Sequence, residues 1–266
     1  MYIDTHLHTD YSSDCGTPMR AQIERAVELG MPSLTITDHQ DFDFPPGDLT
    51  FQFDTDQYLA ELTALREEYA DRIRVLIGVE LGLQPHLGPM LADYVSRYSF
   101  DYCIGSTHLV DGFDPYYPEF YEGRDELAAY RQYFEESYEN LKACDSFHAA
   151  GHLDYIVRYG PNKNRDYTFG KFADILNATL ELLVNRGKGL ECNTAGLAKG
   201  LGVPNPSPEI LTRYRELGGE IVTLGSDAHL PERMGYGFAE AGALLKSLGY
   251  KYYAVYEGGE PRFYPL

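Results

Sequence analysis

The chain has 266 residues, a length that one closed α/β barrel commonly reaches, so we expect a single domain over residues 1–266. Hydrophobic residues make up 44% of the chain and aromatic residues 14%, which argues against a disordered protein. The formal net charge of -19 disfavours general attraction to nucleic acid or to anionic membranes. A small anionic ligand can still bind where bound cations supply local positive charge.

Cysteine usage and the amino-terminal segment indicate the compartment. The four cysteines are far apart in the sequence, and none of them forms a CxxC pair. Residues 1–9 contain no basic stretch followed by an apolar run. No apolar segment of about 18 residues follows them, so a membrane-spanning helix is not expected. We therefore expect a cytoplasmic protein that does not act at a membrane.

Short apolar runs alternate with helix-like segments along the whole chain. The predicted strands are residues 1–6, 33–38, 74–81, 101–108, 148–154, 189–194 and 220–227. The predicted helices are residues 18–30, 54–70, 88–98, 123–145, 170–186, 207–217 and 234–248. This alternation predicts an α/β fold with a parallel barrel that is closed or nearly closed, and whose functional residues gather at the carboxyl ends of the strands. The tail 251–266 is expected to form two strands that close or cap the barrel.

Metal-ligating residue types follow every predicted strand except the sixth. Six of the eight histidines occur at these positions, together with three carboxylates. The nine candidate metal ligands are His6, His8, Asp14, His39, Glu80, His108, His152, Asp227 and His229. A rim of solvated polar side chains is the simpler alternative, but it does not explain why histidine predominates.

The spacing of these residues suits metal binding. Residues two apart on a strand point to the same side, so His6 and His8 are able to hold one ion, and Asp227 and His229 repeat the arrangement. Imidazole and carboxylate ligands suit zinc, manganese or iron, and a carboxylate such as Glu80 is able to bridge two ions.

The two remaining histidines are not expected to bind metal. We expect His148, in the apolar FHAAGHLDYIV segment, to be a core residue and His86, in PHLGP, to be an exposed loop residue.

The ordered motifs resemble those of the PHP superfamily of metal-dependent phosphoesterases, over essentially the whole chain. They are DTHLHTDYSSD at 4–14, TDH at 37–39, GVE at 78–80, GSTH at 105–108, GHLD at 151–154 and GSDAH at 225–229. The resemblance implies a distorted (β/α)7 barrel that binds up to three divalent ions. The implied ligands are His6, His8, Glu80 and Asp227 for the first ion, Glu80, His108 and His152 for the second, and Asp14, His39 and His229 for the third.

Within the superfamily the chain is most similar to monofunctional histidinol-phosphate phosphatases of histidine biosynthesis. ECNTAGLAKG at 191–200, NPSPEIL at 205–211 and the FYPL ending carry this likeness. The resemblance implies that the enzyme hydrolyses a small phosphate monoester. Its relatives often have arginine where Ala198 stands here, so we expect Arg158 or Lys199 to contact the phosphate.

The implied mechanism uses a hydroxide that bridges the first and second ions and attacks phosphorus in line. Glu80, Asp227 and Arg158 would be the catalytic residues, and either Asp227 or a water would pass protons. The aromatic and acidic loop 109–122 is expected to bind the imidazole and the ammonium of histidinol, with Asp114 and Glu119 as candidate carboxylates.

Two other functions compete with this interpretation. One is a PHP phosphoesterase that acts on nucleotides or other small phosphate esters. The other is a PHP domain that binds metal without catalysis. Activity on a panel of phosphate esters distinguishes the two enzymes, and a fully metallated protein without phosphatase activity would favour the non-catalytic domain.

Overall fold

The computed structural model describes residues 2–45, 47 and 49–266, so Met1 of the first predicted strand lies outside the described residues. The strands are β1 Ser33–Ile36, β2 His39–Gln40, β3 Arg74–Gly82, β4 Tyr102–Ser106, β5 Ala149–Ala150, β6 Gly189–Asn193, β7 Val222–Gly225, β8 Tyr252–Glu257 and β9 Glu260–Pro265. The helices are α1 Met19–Glu28, α2 Thr55–Glu68, α3 Gly88–Arg97, α4 Glu126–Ala143, α5 Ala173–Asn185, α6 Ala195–Ala198, α7 Pro208–Glu216 and α8 Phe238–Ser247.

The main sheet is parallel and runs in the order β1, β3, β4, β5, β6, β7, with β2 beside β3. Its strands are almost wholly buried, as expected for a parallel sheet that is covered on both faces. Helices connect successive strands. These features confirm the predicted α/β barrel class.

The amino-terminal segment completes the ring between the first and last strands of this sheet. Asp4 bridges to Leu34 of β1, and Leu7 bridges to Ala228 just beyond β7, both in parallel orientation. The prediction of a regular strand over 1–6 is therefore only partly correct. One reason is that two backbone N–H groups within it donate to side chains, Ile3 to the Tyr253 hydroxyl at 3.2 Å and His6 to the Asp4 carboxylate at 3.4 Å.

The fifth predicted strand, 148–154, is much shorter in the structure. Only Ala149–Ala150 pairs with its neighbours. The backbone N–H of His152 donates to a side-chain oxygen of Glu191, at 2.8 Å, and the chain then turns into a short 3-10 helix over Tyr155–Arg158. Leaving the sheet early directs His152 across the carboxyl end of the barrel.

The two ends of the barrel have different roles. The hairpin formed by β8 and β9 packs near the starts of the strands, where the Tyr256 hydroxyl donates to the His148 carbonyl and the Gly258 N–H donates to Asp101. It therefore caps the amino end, while the amino-terminal segment closes the ring. The opposite, carboxyl end is left for the site. No described helix is both long enough and apolar enough to cross a bilayer.

Candidate metal centre

A cavity of about 440 Å³ opens at the carboxyl end of the barrel. Its floor and walls hold most of the predicted ligands. Those that line it are Asp14, His39, His108, His152, Asp227 and His229. The other three, His6, His8 and Glu80, are fully buried beside them. The fold thus brings all nine predicted metal ligands together.

Glu80 lies at the centre of this cluster, on β3. Its Oε2 atom is 3.2 Å from His6 Nε2 and 3.1 Å from His39 Nδ1. Its Oε1 atom is 2.8 Å from His152 Nε2 and 3.2 Å from His108 Nε2. The two oxygens therefore face different pairs of histidines, which is the geometry of a carboxylate between two cation positions.

His6, His8 and Asp227 form one side of the cluster. His8 Nε2 is 3.1 Å from His6 Nε2 and 3.2 Å from Asp227 Oδ1. Asp227 follows β7 and has a φ of 56°, an uncommon conformation for a residue with a side chain. Such backbone strain recurs at functional sites, where the surrounding structure fixes it.

Asp14, His39 and His229 form the more open side. His229 Nε2 is 3.2 Å from Asp14 Oδ2, and His39 Nε2 is 3.9 Å from the same oxygen. The rings of His8 and His229 stack with their centroids 4.2 Å apart. Asp14 and His229 are about one-third exposed, so this side of the cluster is reached directly from the cavity.

The donor set fits divalent cations. Sets of three side chains place one potential ligand atom each within 4.8 Å of one another, including His6 with His8 and Glu80, and Glu80 with His108 and His152. The buried Glu80 Oε2 and His39 Nδ1 lie 3.1 Å apart, yet neither makes a hydrogen bond of regular geometry with any described residue. Buried polar atoms are normally paired, and a cation bound beside them would satisfy both. The donors are nitrogen and oxygen atoms, as zinc, manganese and iron prefer.

Neighbouring positive groups lower the pKa values of two predicted acidic ligands, Glu80 and Asp227. Burial opposes ionisation of Glu80, but the neighbouring histidines, His6 first among them, hold its pKa well below the ordinary value. Burial likewise opposes ionisation of Asp227, yet His6, His8 and Arg158 hold its pKa well below the ordinary value. Both carboxyls are therefore ionised at neutral pH, which is the form that binds cations.

Two of the histidines, His8 and His6, have pKa values shifted in opposite directions. Burial, with the charges of His229 and His39, lowers the pKa of His8 to about 3, so that ring is neutral and available as a ligand. Burial also disfavours the charged form of His6, but the nearby carboxylates of Glu191, Glu80 and Asp227 raise its pKa well above 6.5. Metal binding must therefore displace a proton from His6.

Arg158 lines the cavity, but it is only 3% exposed and is held from three directions. Its Nε donates to Asn205 at 2.7 Å, one terminal nitrogen donates to Asn193 at 2.7 Å, and the other donates to Asp227 at 2.8 Å. The structure thus places the predicted phosphate contact in a rigid network beside a predicted metal ligand. Lys199 also lines the cavity, more exposed, with its ammonium 5.5 Å from the centre of the Tyr159 ring.

The predicted substrate loop divides between two cavities. Asp114, Tyr116 and Tyr117 line the cavity that holds the predicted metal ligands. Asp114 and Tyr117 also border an adjoining cavity of about 370 Å³. Glu119 and the buried Phe120 line this second cavity and are absent from the lining of the first, among the described residues. Burial raises the pKa of Asp114, which accepts a hydrogen bond from the Tyr116 backbone at 2.8 Å. Asp114 is thus better placed than Glu119 to meet a ligand bound beside the predicted metal ligands.

The two histidines set aside at the sequence level lie away from the centre. His148 Nδ1 accepts a hydrogen bond from the Cys103 backbone at 2.8 Å, and its ring stacks on Tyr256. His86 is exposed and pairs with Asp43 at 3.0 Å.

Sequence reasoning missed two carboxylates that contact predicted ligands. Asp41 Oδ2 is 2.6 Å from His108 Nδ1, and Glu191 Oε1 is 2.6 Å from His6 Nδ1. Asp41 follows His39 by two residues, a spacing that was a usable signal. Glu191 lies in the middle of β6, where position in the strand gives no comparable signal.

A closed parallel barrel that gathers histidines and carboxylates at its carboxyl end defines a metal-binding α/β-barrel protein. The chain belongs to the PHP-domain family, whose model matches residues 4–195. This assignment confirms the resemblance seen in the motifs.

Similar proteins match over nearly the full length. The chain is 33% identical to the probable histidinol-phosphatase of Clostridium acetobutylicum, over 91% of each chain. It is 29% identical to the histidinol-phosphatase of Lactococcus lactis, over 96% of this chain and 94% of that protein. A crystal structure of the Lactococcus lactis histidinol phosphate phosphatase, complexed with zinc, L-histidinol and phosphate, superposes with a TM-score of 0.88 at 27% identity and covers 98% of both chains.

Proposed function

We propose that the protein is a metal-dependent phosphatase that hydrolyses L-histidinol phosphate to L-histidinol and phosphate in histidine biosynthesis. The observation that carries this proposal is the convergence of eight predicted metal ligands around the ninth, Glu80, at the open end of the barrel. Full-length similarity to histidinol-phosphatases, one of them solved with zinc, L-histidinol and phosphate, supports the substrate.

The cluster suits up to three divalent ions, chosen among zinc, manganese and iron. We assign His6, His8 and Asp227 to the first ion and His108 and His152 to the second. Glu80 would serve both ions, since its two oxygens face the two groups of histidines. The third ion would be held by Asp14, His39 and His229.

Bound divalent ions would lower the pKa of water towards neutrality and offset negative charge on the phosphoryl group. The chain's own residues then orient the ester. Arg158 directs its guanidinium into the cavity and is held there by Asn193, Asn205 and Asp227. Lys199 adds a second positive charge at the cavity wall. Either Asp227 or a water molecule would carry the proton that hydrolysis moves.

The leaving alcohol would occupy the side of the cavity formed by the 109–122 loop. Asp114 is the acidic residue of this loop that lines the metal-bearing cavity, and it suits the substrate ammonium. Tyr116 and Tyr117 line the same cavity and offer aromatic surface to the imidazole. The reaction would take place in a reducing compartment such as the cytoplasm, because all four cysteines are free and buried.

Metal removal and restoration test the proposal. Protein stripped with a chelator should release no phosphate from histidinol phosphate, and stoichiometric zinc, manganese or iron should restore turnover. The metal content of each sample is measured alongside, so that activity is referred to occupied sites. Unchanged turnover in protein shown to be metal-free would refute a metal-dependent reaction.

A further inference from the structure

Glu191 is a fully buried carboxylate on β6 that the ligand assignment does not use. Its Oε1 atom is 2.6 Å from His6 Nδ1. Its Oε2 atom accepts hydrogen bonds from the His152 backbone N–H at 2.8 Å and from the Asn193 amide at 3.1 Å. One side chain thus contacts a predicted ligand of the first ion and the backbone of a predicted ligand of the second.

The contact with His6 determines which ring nitrogen carries a proton in the ligand form. A carboxylate beside Nδ1 favours a proton on that nitrogen, which leaves Nε2 unprotonated. His6 Nε2 is the nitrogen that faces Glu80 at 3.2 Å and His8 at 3.1 Å. Glu191 therefore directs the lone pair of His6 towards the cluster.

The contact with His152 acts on the backbone. The chain leaves the sheet after Ala150, and the N–H of His152 finds its acceptor in Glu191 instead of in a neighbouring strand. This bond fixes the point from which the His152 ring reaches Glu80 Oε1, at 2.8 Å. Removing it would free both the backbone and the ring.

The neighbouring strand β7 has a glycine, Gly225, where it faces the Glu191 carboxylate. A β-carbon at Gly225, on β7, would collide with Glu191 Oε1 and would also press on His6. Asn193 extends the network, because its amide donates to Glu191 and its carbonyl oxygen accepts from Arg158 at 2.7 Å. The carboxylate is thus linked to the cluster and to the predicted phosphate contact.

We propose that Glu191 is a positioning residue that orients His6 and His152 for metal binding, and so couples the first and second ion positions. The proposal rests on the metal assignment given under the proposed function, but not on the identity of the ester. Carboxylates behind metal-binding histidines commonly raise metal affinity by about 10- to 100-fold. We expect an effect of that size here.

Glu191→Gln is a sharp test because it keeps size and shape. The amide has one acceptor oxygen, whereas Glu191 uses both oxygens to accept hydrogen bonds. If the amide nitrogen faces His6, it favours a proton on Nε2 and blocks the ligand atom. If it faces His152, two donors meet and the backbone contact is lost.

The measurement is zinc affinity, by competition with a chromophoric chelator, on the full chain without substrate. We expect affinity to fall by about 10- to 100-fold in Glu191→Gln. Asp101→Asn is the matched control, since Asp101 also accepts backbone N–H groups, from Ile77 and Gly258, but lies at the opposite end of the barrel. It should bind zinc like the wild type. Affinity within twofold of wild type in a folded Glu191→Gln protein would overturn the proposal.

A second measurement needs no variant. In zinc-loaded wild-type protein labelled with ¹⁵N-histidine, His6 should carry its proton on Nδ1 and bind metal through Nε2. A proton on Nε2 would overturn the proposal even if Glu191→Gln failed to fold. Neither measurement involves an ester, so failure of the substrate assignment would leave both results unaffected.

Discussion

Glu80 Oε1 lies 2.8 Å from His152 Nε2, although the two residues are separated by 72 positions in the chain. The two residues meet in the folded barrel because Glu80 lies near the end of β3 and His152 follows the short β5. In the sheet, β4 is the strand between β3 and β5. The second oxygen of Glu80 faces His6 and His39 instead. Glu80 is therefore the residue on which both halves of the cluster depend.

Substituting Glu80 by Gln should damage the site more than any other single conservative change. An amide supplies one weak oxygen ligand and no charge, whereas the native carboxylate faces two groups of histidines. We expect at least one ion per chain to be lost and kcat to fall by about 100-fold or more. Elemental analysis of dialysed protein and initial rates at saturating substrate measure the two effects.

Glu240→Gln is the control for the loss of one negative charge and for protein preparation, because Glu240 is exposed on α8, away from the metal-ligand cluster. It should match the wild type in metal content and rate. Normal metal content together with normal turnover in Glu80→Gln would remove Glu80 from the bridging position.

Substituting Arg158 by Ala should lower both catalysis and stability. The side chain makes three hydrogen bonds, so its removal leaves buried groups of Asn193, Asn205 and Asp227 without their partner. One lost bond to a charged group is worth about 1.5 to 3 kcal/mol, or roughly tenfold to over a hundredfold in kcat/KM. The melting temperature should fall as well, which thermal unfolding measures.

Lys199→Ala separates the two effects, since this lysine is exposed and makes no ion pair with the described residues. It should lower kcat/KM while leaving the melting temperature unchanged. If Arg158→Ala instead lowers only the melting temperature, Arg158 is a structural residue, and Lys199 becomes the phosphate contact.

The sequence predicted the barrel and the clustering of the nine candidate ligands because both follow from local patterns. The alternation of strands and helices determines the order of elements, and residues such as His39 and His108 come where strands end. Those positions meet at one edge whatever the details of packing. The first ring segment and the fifth strand were predicted too long, since side-chain acceptors, Tyr253 and Glu191, replace backbone partners there.

Residues that act through another side chain were beyond such patterns. Glu191 lies inside β6, where a charged residue is normally a poor choice, and only the three-dimensional contact with His6 explains it. The burial of Arg158 depends on Asn193 and Asn205, which are distant in sequence. The placement of Asp114 at both cavities, and of Glu119 at the adjoining one alone, likewise depends on how the 109–122 loop folds.

This difference in placement predicts different roles for the two loop carboxylates, because Asp114 reaches the cavity of the predicted metal ligands and Glu119 does not line it. Asp114→Asn should reduce the preference for histidinol phosphate over an aryl phosphate by about tenfold, or about 1.4 kcal/mol, because a contact with the leaving group is lost. Turnover of the aryl ester should change little. Glu119→Gln, in the adjoining cavity, is the matched control and should keep the full preference. The opposite ranking of the two variants would place the substrate ammonium in the adjoining cavity.

His148 should make the fold sensitive to acid. Burial, together with the charge of Lys188, lowers its pKa from 6.5 to about 4, so the folded protein binds fewer protons than the unfolded chain between these values. Stability conferred by the neutral ring is therefore present above pH 6.5 and is lost as pH falls towards 4. We expect a loss on the order of 2 kcal/mol over this window.

His148→Asn tests this contribution, because its amide oxygen is able to accept the Cys103 N–H without titrating. The free energy of unfolding of the variant, from urea denaturation, should depend less steeply on pH between 6.5 and 4 than that of the wild type. Parallel pH profiles for the two proteins would show that His148 makes no such contribution.

Phosphate release from L-histidinol phosphate, compared with release from a nucleoside monophosphate, a sugar phosphate and an aryl phosphate, decides whether the protein is a histidinol-phosphate phosphatase. Protein of measured metal content should hydrolyse histidinol phosphate with a kcat/KM at least about tenfold above every other ester, since one good contact with the leaving group is worth about 1.4 kcal/mol. Equal efficiency on all four esters, or a nucleotide that outranks histidinol phosphate, would contradict the assigned substrate. Absence of phosphate release from any ester by fully metallated protein would contradict the phosphatase itself.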